Sequence, residues 1–163
     1  MVMILKPIGR VHSPFKNKQD IDPEKFAAST DFDPIEGELE IDGEFSEGLT
    51  DLEGFSHVIV IFGFHKSEGF KLLVTPPYEN TPRGVFATRS PHRPNPLGMT
   101  ILKIIKRKNN ILHVSGMDMI EGTPILDIKP YTHRDQKEKI EIGWLTNKIT
   151  GRQIPELSPK KEV

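Results

Sequence analysis

The sequence predicts a mainly β fold: a small single-domain β-barrel of mixed or antiparallel strands with few short helices. Three observations carry that expectation. Fourteen prolines and thirteen glycines cut the 163 residues into short pieces, which argues against a helical bundle. Between these breaks lie apolar or alternating runs of strand length. Helices do not alternate with the strands, and no pair of glycines has the dinucleotide-binding spacing after a strand, so a doubly wound parallel sheet is excluded.

The elements follow in chain order. Residues 4–11 read as a first strand, ended by Ser13-Pro14. Asp22-Pro23-Glu24-Lys25-Phe26 reads as the start of a short helix over 22–28, with Asp22 as its cap and Pro23 in its first turn; a loop is the alternative. Residues 37–41 alternate as a half-exposed strand does, and Asp42-Gly43 offers a turn. Residues 48–54 form a turn or one helical turn. The run 57–64 is nearly all apolar and reads as a central strand buried on both faces. Strands are expected at 70–74, stopped by Pro76-Pro77, and at 85–88. Residues 99–107 and 111–116 make a hairpin through Lys108-Asn109-Asn110, and 125–128 is the last strand. The barrel domain is assigned to residues 1–135. Residues 136–163 form a charged C-terminal extension whose apolar patch, 140–145, is an added strand or a subunit contact and whose end, after Pro155, reads as disordered.

Composition narrows the function. Lys and Arg total 22 against 23 Asp and Glu, so a globally basic nucleic-acid binder is not indicated. Positive charge is local instead: Arg83, Arg89, His92 and Arg93 lie within eleven residues. With no cysteine, disulfides, thiolate metal sites and a cysteine nucleophile are excluded. The six histidines show no zinc spacing, and neither an EF-hand, a P-loop nor a serine elbow is present, so no metal is expected. The start of the chain lacks a signal pattern, and its apolar runs are too short to span a bilayer, which points to the cytoplasm and no membrane.

Three segments carry polar chemistry. The densest is Arg83-Gly84-Val85-Phe86-Ala87-Thr88-Arg89-Ser90-Pro91-His92-Arg93-Pro94-Asn95-Pro96-Leu97-Gly98. Its closely spaced prolines stiffen the backbone, and Arg89, His92, Arg93 and Asn95 stand between them as groups able to bond a ligand. A surface turn whose arginines pair with the acidic N-terminal half is the plain alternative. The second is Asp118-Met119-Ile120-Glu121-Gly122-Thr123-Pro124, a tight turn whose backbone N–H groups can approach a ligand, followed by Asp127 and Lys129 on one strand face. The third is Phe64-His65-Lys66 at the end of the apolar strand.

These segments, in this order, together with Ile8-Gly9-Arg10-Val11-His12-Ser13-Pro14-Phe15-Lys16 and Leu52-Glu53-Gly54-Phe55-Ser56-His57, resemble the TsaA-like (TrmO) family of S-adenosylmethionine-dependent tRNA adenine methyltransferases. The resemblance covers residues 4–133. It implies a β-barrel, a homodimer, bound S-adenosyl-L-methionine, and methyl transfer to the exocyclic N6 of threonylcarbamoyladenosine next to the anticodon of tRNA. By position, the cofactor would meet Gln19, His65, Lys66, Arg89, Met99, Glu121, Gly122, Thr123 and Pro124. Glu121 stands where aspartate is more typical. Bacterial members carry a further C-terminal domain, so the RNA substrate stays open. His92, Arg93, Asn95 and Lys129 would meet RNA phosphates or the threonyl carboxylate, and Tyr131 would stack on a base. The N6 lone pair is delocalised, so a base is needed; Asp118 and Asp127 are both candidates. Two other readings fit the same residues: a methyltransferase of another RNA or a small molecule, and a non-catalytic S-adenosylmethionine-binding module.

Overall fold

In the computed structural model, residues 1–21, 32–77 and 79–146 are described. Six strands form one antiparallel sheet: β1 (Gly9–His12), β2 (Glu36–Ile41), β3 (His57–Gly63), β6 (Leu97–Lys108), β7 (Ile111–Ser115) and β8 (Pro124–Pro130). Their order is β1-β2-β7-β6-β3-β8, and β8 pairs back to β1 through Gly9 with Ile125 and Arg10 with Pro124, so the barrel is closed. Closure gives every strand a partner on both sides and leaves no open edge. Each ladder is antiparallel, which removes the mixed alternative. Two more strands, β4 (Leu73–Val74) and β5 (Arg83–Gly84), make a separate two-stranded sheet.

Alternation builds the interior. Val11, Leu39, Ile41, Val58, Val60, Phe62, Leu102, Leu112, Val114 and Ile125 point inward and are buried. Between them on β2, Glu36, Glu38 and Glu40 face out, as expected for a half-exposed strand. Met117 and Met119 close one end of the interior, and Leu49 and Leu52 extend the same core.

Several elements differ from the sequence reading. The first strand starts at Gly9 rather than at residue 4. Strand β3 is not buried on both faces: Val58, Val60 and Phe62 are buried, while His57, Ile59, Ile61 and Gly63 are only half-buried. The outer face is apolar too, so a continuous apolar run could not reveal the alternation. Only Leu73–Val74 of residues 70–74 is strand. Val85–Ala87 is a 3-10 turn, and the pairing there belongs to Arg83–Gly84. The patch at 140–145 contains a 3-10 turn, Gly143–Leu145, and not a strand. The helix expected at 22–28 and the tail beyond residue 146 lie outside the described residues.

The hairpin of β6 and β7 turns at Asn109, whose φ is 55°. Asn110 then ties the hairpin to β2: its Nδ2 donates to the Ile41 carbonyl at 2.7 Å and its carbonyl accepts the Ile41 N–H at 2.9 Å. The chain divides into two compact units, Met1–Tyr131 and Thr132–Val163. In the second, the Asp135 carboxylate accepts the Thr132 N–H at 2.8 Å. No described helix is long and apolar enough to cross a membrane.

Candidate functional site

Strand direction decides which segments meet. β1, β3 and β7 end, and β2, β6 and β8 begin, at the same end of the barrel. The segments after His12, Gly63 and Ser115, and the one before Leu97, therefore converge there. Hydrogen bonds fasten them. The Phe64 N–H donates to the Pro96 carbonyl at 2.8 Å, and the Glu121 N–H to the Phe15 carbonyl at 2.7 Å. Lys66 Nζ reaches the Lys16 carbonyl at 3.2 Å, next to the 3-10 turn Lys18–Asp20 that carries the exposed Gln19. The sequence-remote segments around Gln19, His65, Lys66, Arg89, His92, Arg93, Asn95, Asp118 and residues 121–124 thus share one end of the barrel.

The proline loop owes its shape to its own side chains as well as to its rings. Arg93 Nη1 donates to the carbonyls of Val85 at 3.0 Å, Thr88 at 2.8 Å and Ser90 at 3.3 Å. Its guanidinium also lies 5.8 Å from the centre of the Phe86 ring. Arg93, expected to meet RNA, is therefore engaged in closing its own loop. His92 Nδ1 lies 3.1 Å from Ser67 Oγ, which donates to the Pro91 carbonyl at 3.0 Å, and this joins the loop to the segment after β3. Arg89 and Asn95 are exposed, and Arg89 Nη1 approaches the Met99 carbonyl at 3.4 Å.

Glu121 fastens the turn to the first strand. Its Oε2 accepts the Ser13 N–H at 2.7 Å, Lys16 Nζ lies 3.4 Å from the same oxygen, and Oε1 is 3.1 Å from His12 Nδ1. The carboxylate expected to meet the cofactor thus has protein partners on both oxygens. The Ser13 N–H first, then His12 and Lys16, hold its carboxyl below the usual range against a smaller desolvation effect. Gly122 sits at φ 76°, where a side chain would be strained. Thr123 is buried, and its hydroxyl donates to the Ile120 carbonyl at 2.7 Å.

His12 stands between two carboxylates, with Nε2 2.5 Å from Glu40 Oε2. The bond to Glu40 is the largest influence raising its pKa, and the contacts with Glu121 add to it against desolvation. Glu40 in turn is lowered to about 2, by Arg10 first and His12 second. His65 moves the other way: desolvation and the adjacent Lys66 cation lower its pKa, so its ring is neutral at pH 7.

Asp118 differs from every other carboxyl at this end. Thr100 Oγ1 donates to its Oδ2 at 3.0 Å, whereas Oδ1 is buried with no hydrogen-bond partner in the structure. Burial pushes the carboxyl up to about 6, against the pull of the Thr100 hydroxyl, its own amide and Arg89. Thr100 was not legible as a site residue. The signal for it is parity: it shares the inward face of β6 with Leu102, so a hydroxyl there faces the interior.

Met99 and Asp127 present their side chains on the outer wall, and Lys129 and Tyr131 lie farther along the chain, near and just past the end of β8. Met99 points outward, 44% exposed, in the row Asp127–Ile61–Met99 across the outer wall. Asp127 lies in that row and pairs with Lys129 at 2.5 Å, both side chains exposed to solvent. Tyr131 bonds to the His57 carbonyl at the opposite end of β3, with its ring 6.2 Å from that of His57. From Pro124 to Tyr131 the chain runs along β8, roughly 20 Å at the rise of a strand. The structure does not bring Lys129 and Tyr131 to the turn that precedes them. Among the described residues, no group of three potential ligands could hold a metal ion.

The structural class is a closed antiparallel β-barrel whose remote loops converge on one end, with a buried acceptor among them. The chain belongs to the tRNA-methyltransferase O N-terminal domain family, whose model matches residues 10–136. A probable S-adenosyl-L-methionine-binding protein of Pyrococcus abyssi is 45% identical over 150 residues, covering 91% of this chain and 79% of that protein. The tRNA (adenine(37)-N6)-methyltransferase of Homo sapiens is 39% identical over 132 residues, covering 79% of this chain and 30% of that enzyme. The crystal structure of TrmO from Pseudomonas aeruginosa superposes with a TM-score of 0.69 at 33% identity, covering 88% of this chain and 62% of that one. The chain therefore spans under two thirds of that TrmO chain and under one third of the human enzyme.

Proposed function

We propose that this protein is an S-adenosyl-L-methionine-dependent methyltransferase acting on the exocyclic N6 of adenosine in tRNA. The carrying observation is that segments as far apart in sequence as Ser13 and Glu121, all within the matched family region, are hydrogen-bonded together at one barrel end. The finer reading is that the target is threonylcarbamoyladenosine next to the anticodon, that the protein works as a homodimer, and that it is cytoplasmic. The outer face of β6 supports the dimer: Leu97, Met99 and Ile101 are each over one third exposed in one apolar strip.

The residues at this end suit a cationic donor. Asp118 offers a carboxyl oxygen without a partner, and His65 is neutral, so its ring adds no repulsion. The cofactor supplies a methyl group on a sulfonium, already activated for transfer. What remains for the protein is alignment, worth up to ~7–11 kcal/mol in favourable cases. The loop tied together by Arg93 and His92 is built for that, because its backbone is fixed before any ligand arrives. An adenosine in a tRNA loop is not locked in a duplex, so presenting it costs less than flipping a paired base.

Mass spectrometry of nucleosides from tRNA incubated with the protein and the methyl donor tests this reading. The expected product is an N6-methylated adenosine, with the threonylcarbamoyl form preferred. Tight donor binding with no product from any tRNA would mark a binding module instead.

A further inference from the structure

We infer that Asp118 is the proton acceptor of the transfer and that Thr100 positions it. The inference rests on the proposed function and chooses between two carboxyls that sequence leaves equal. Asp127 is ion-paired on the outer wall and solvated. Asp118 lies among the converging loops, one oxygen fixed by the Thr100 hydroxyl at 3.0 Å and the other buried without a partner. A buried carboxyl oxygen with no donor is a rare feature that a catalytic role accounts for. The N6–H of an adenosine can supply that donor. The nitrogen lone pair forms the bond to the methyl carbon, the carbon–sulfur bond breaks with its electron pair on sulfur, and the N6 proton passes to the Asp118 carboxylate.

Thr100 holds the carboxyl in one orientation through its bond to Oδ2. Among the described residues, Arg89 is the charged side chain whose field favours the ionised form of Asp118. A carboxyl that titrates near 6 is a better proton acceptor than an ordinary one and is still ionised at pH 7.

Two measurements test the assignment. Carboxyl-carbon NMR of the free protein should show Asp118 titrating near 6. Thr100→Val should move that midpoint upward, because a bond to the charged form is lost, and Thr100→Ser should restore it. Methylation of tRNA should fall by about 10²- to 10⁴-fold in Asp118→Asn, far more than donor affinity measured by calorimetry. The acid limb of wild-type kcat/KM should follow the NMR midpoint and move with it in Thr100→Val. An Asp118→Asn protein at more than half the wild-type rate, or a midpoint that Thr100→Val leaves in place, overturns the assignment while the methyltransferase reading stands. A wild-type protein that methylates no tRNA removes both.

Discussion

Replacing Gly9 by alanine should lower the melting temperature by roughly 6–12 °C, the equivalent of about 3 kcal/mol in a domain of this size. Gly9 pairs with Ile41 on one side and Ile125 on the other, at the seam where β1 closes the barrel. A Cβ built there would lie 2.2 Å from the Glu40 carbonyl oxygen and 2.9 Å from the Ile41 Cα. Both atoms are backbone, held in the β2 ladder, so no side chain can swing away to make room. The seam must open instead, and opening it exposes two strand edges and the ends of the Val11–Leu39–Ile125 core. Thermal denaturation of Gly9→Ala beside wild type measures this directly. A midpoint within 2 °C of wild type would mean that the closure is looser than the ladder indicates.

Replacing Arg93 by alanine should weaken donor binding and tRNA methylation together, by about tenfold or more. Three carbonyls of the loop, on Val85, Thr88 and Ser90, share the two hydrogens of Nη1 and lose that charged donor at once; a bond to a charged group contributes about 1.5–3 kcal/mol. The global melting temperature should move far less, because the loop lies outside the barrel ladder. The sequence reading, in which Arg93 meets RNA, expects methylation to fall more than donor binding. Calorimetry and a methylation assay on the same variant separate the two: parallel loss supports the loop clamp, and intact donor affinity supports direct RNA contact.

How far the sequence carried depended on the kind of signal. Strand alternation at residues 37–41 was plain, because one face is apolar and the other charged, and the hairpin signal at Lys108-Asn109-Asn110 located 111–116; both strands are where these signals put them. At β3 both faces are apolar, and the outer one faces solvent beside Met99 and Ile101, so the run could not report its own burial. Val85-Phe86-Ala87 has strand-forming residues, but Thr88 caps a 3-10 turn there by donating its hydroxyl to the Val85 carbonyl at 2.9 Å. The proline loop, the Phe64-His65 segment and the Glu121-Gly122-Thr123-Pro124 turn converge at one barrel end, whereas the residues alone left a ligand-binding and a purely structural reading open for each.

Sequence neighbourhood misled in one direction. Lys129 and Tyr131 are close to Glu121 along the chain, yet a strand carries its residues away at about 3.3 Å each. Side-chain parity separated Thr100 from Met99: adjacent residues point to opposite faces of β6, which puts the hydroxyl beside Asp118 and the thioether on the outer wall. Arg93 was read as free to meet a ligand from its residue type, and Glu121 from its position in the resemblance. Which of their partners come from the protein itself is a property of the fold that residue type does not contain.

The central claim is that one barrel end receives the methyl donor. The most direct measurement is a titration of S-adenosyl-L-methionine into the isotope-labelled protein, followed by amide NMR. Saturable shifts should concentrate at Phe64, His65 and Lys66, at Arg89, and from Asp118 to Thr123, with little change at Asn109 and Asn110 on the far hairpin. Shifts confined to the hairpin and to the segment Gly43–Leu49, with the loops around Asp118 silent, would contradict the claim.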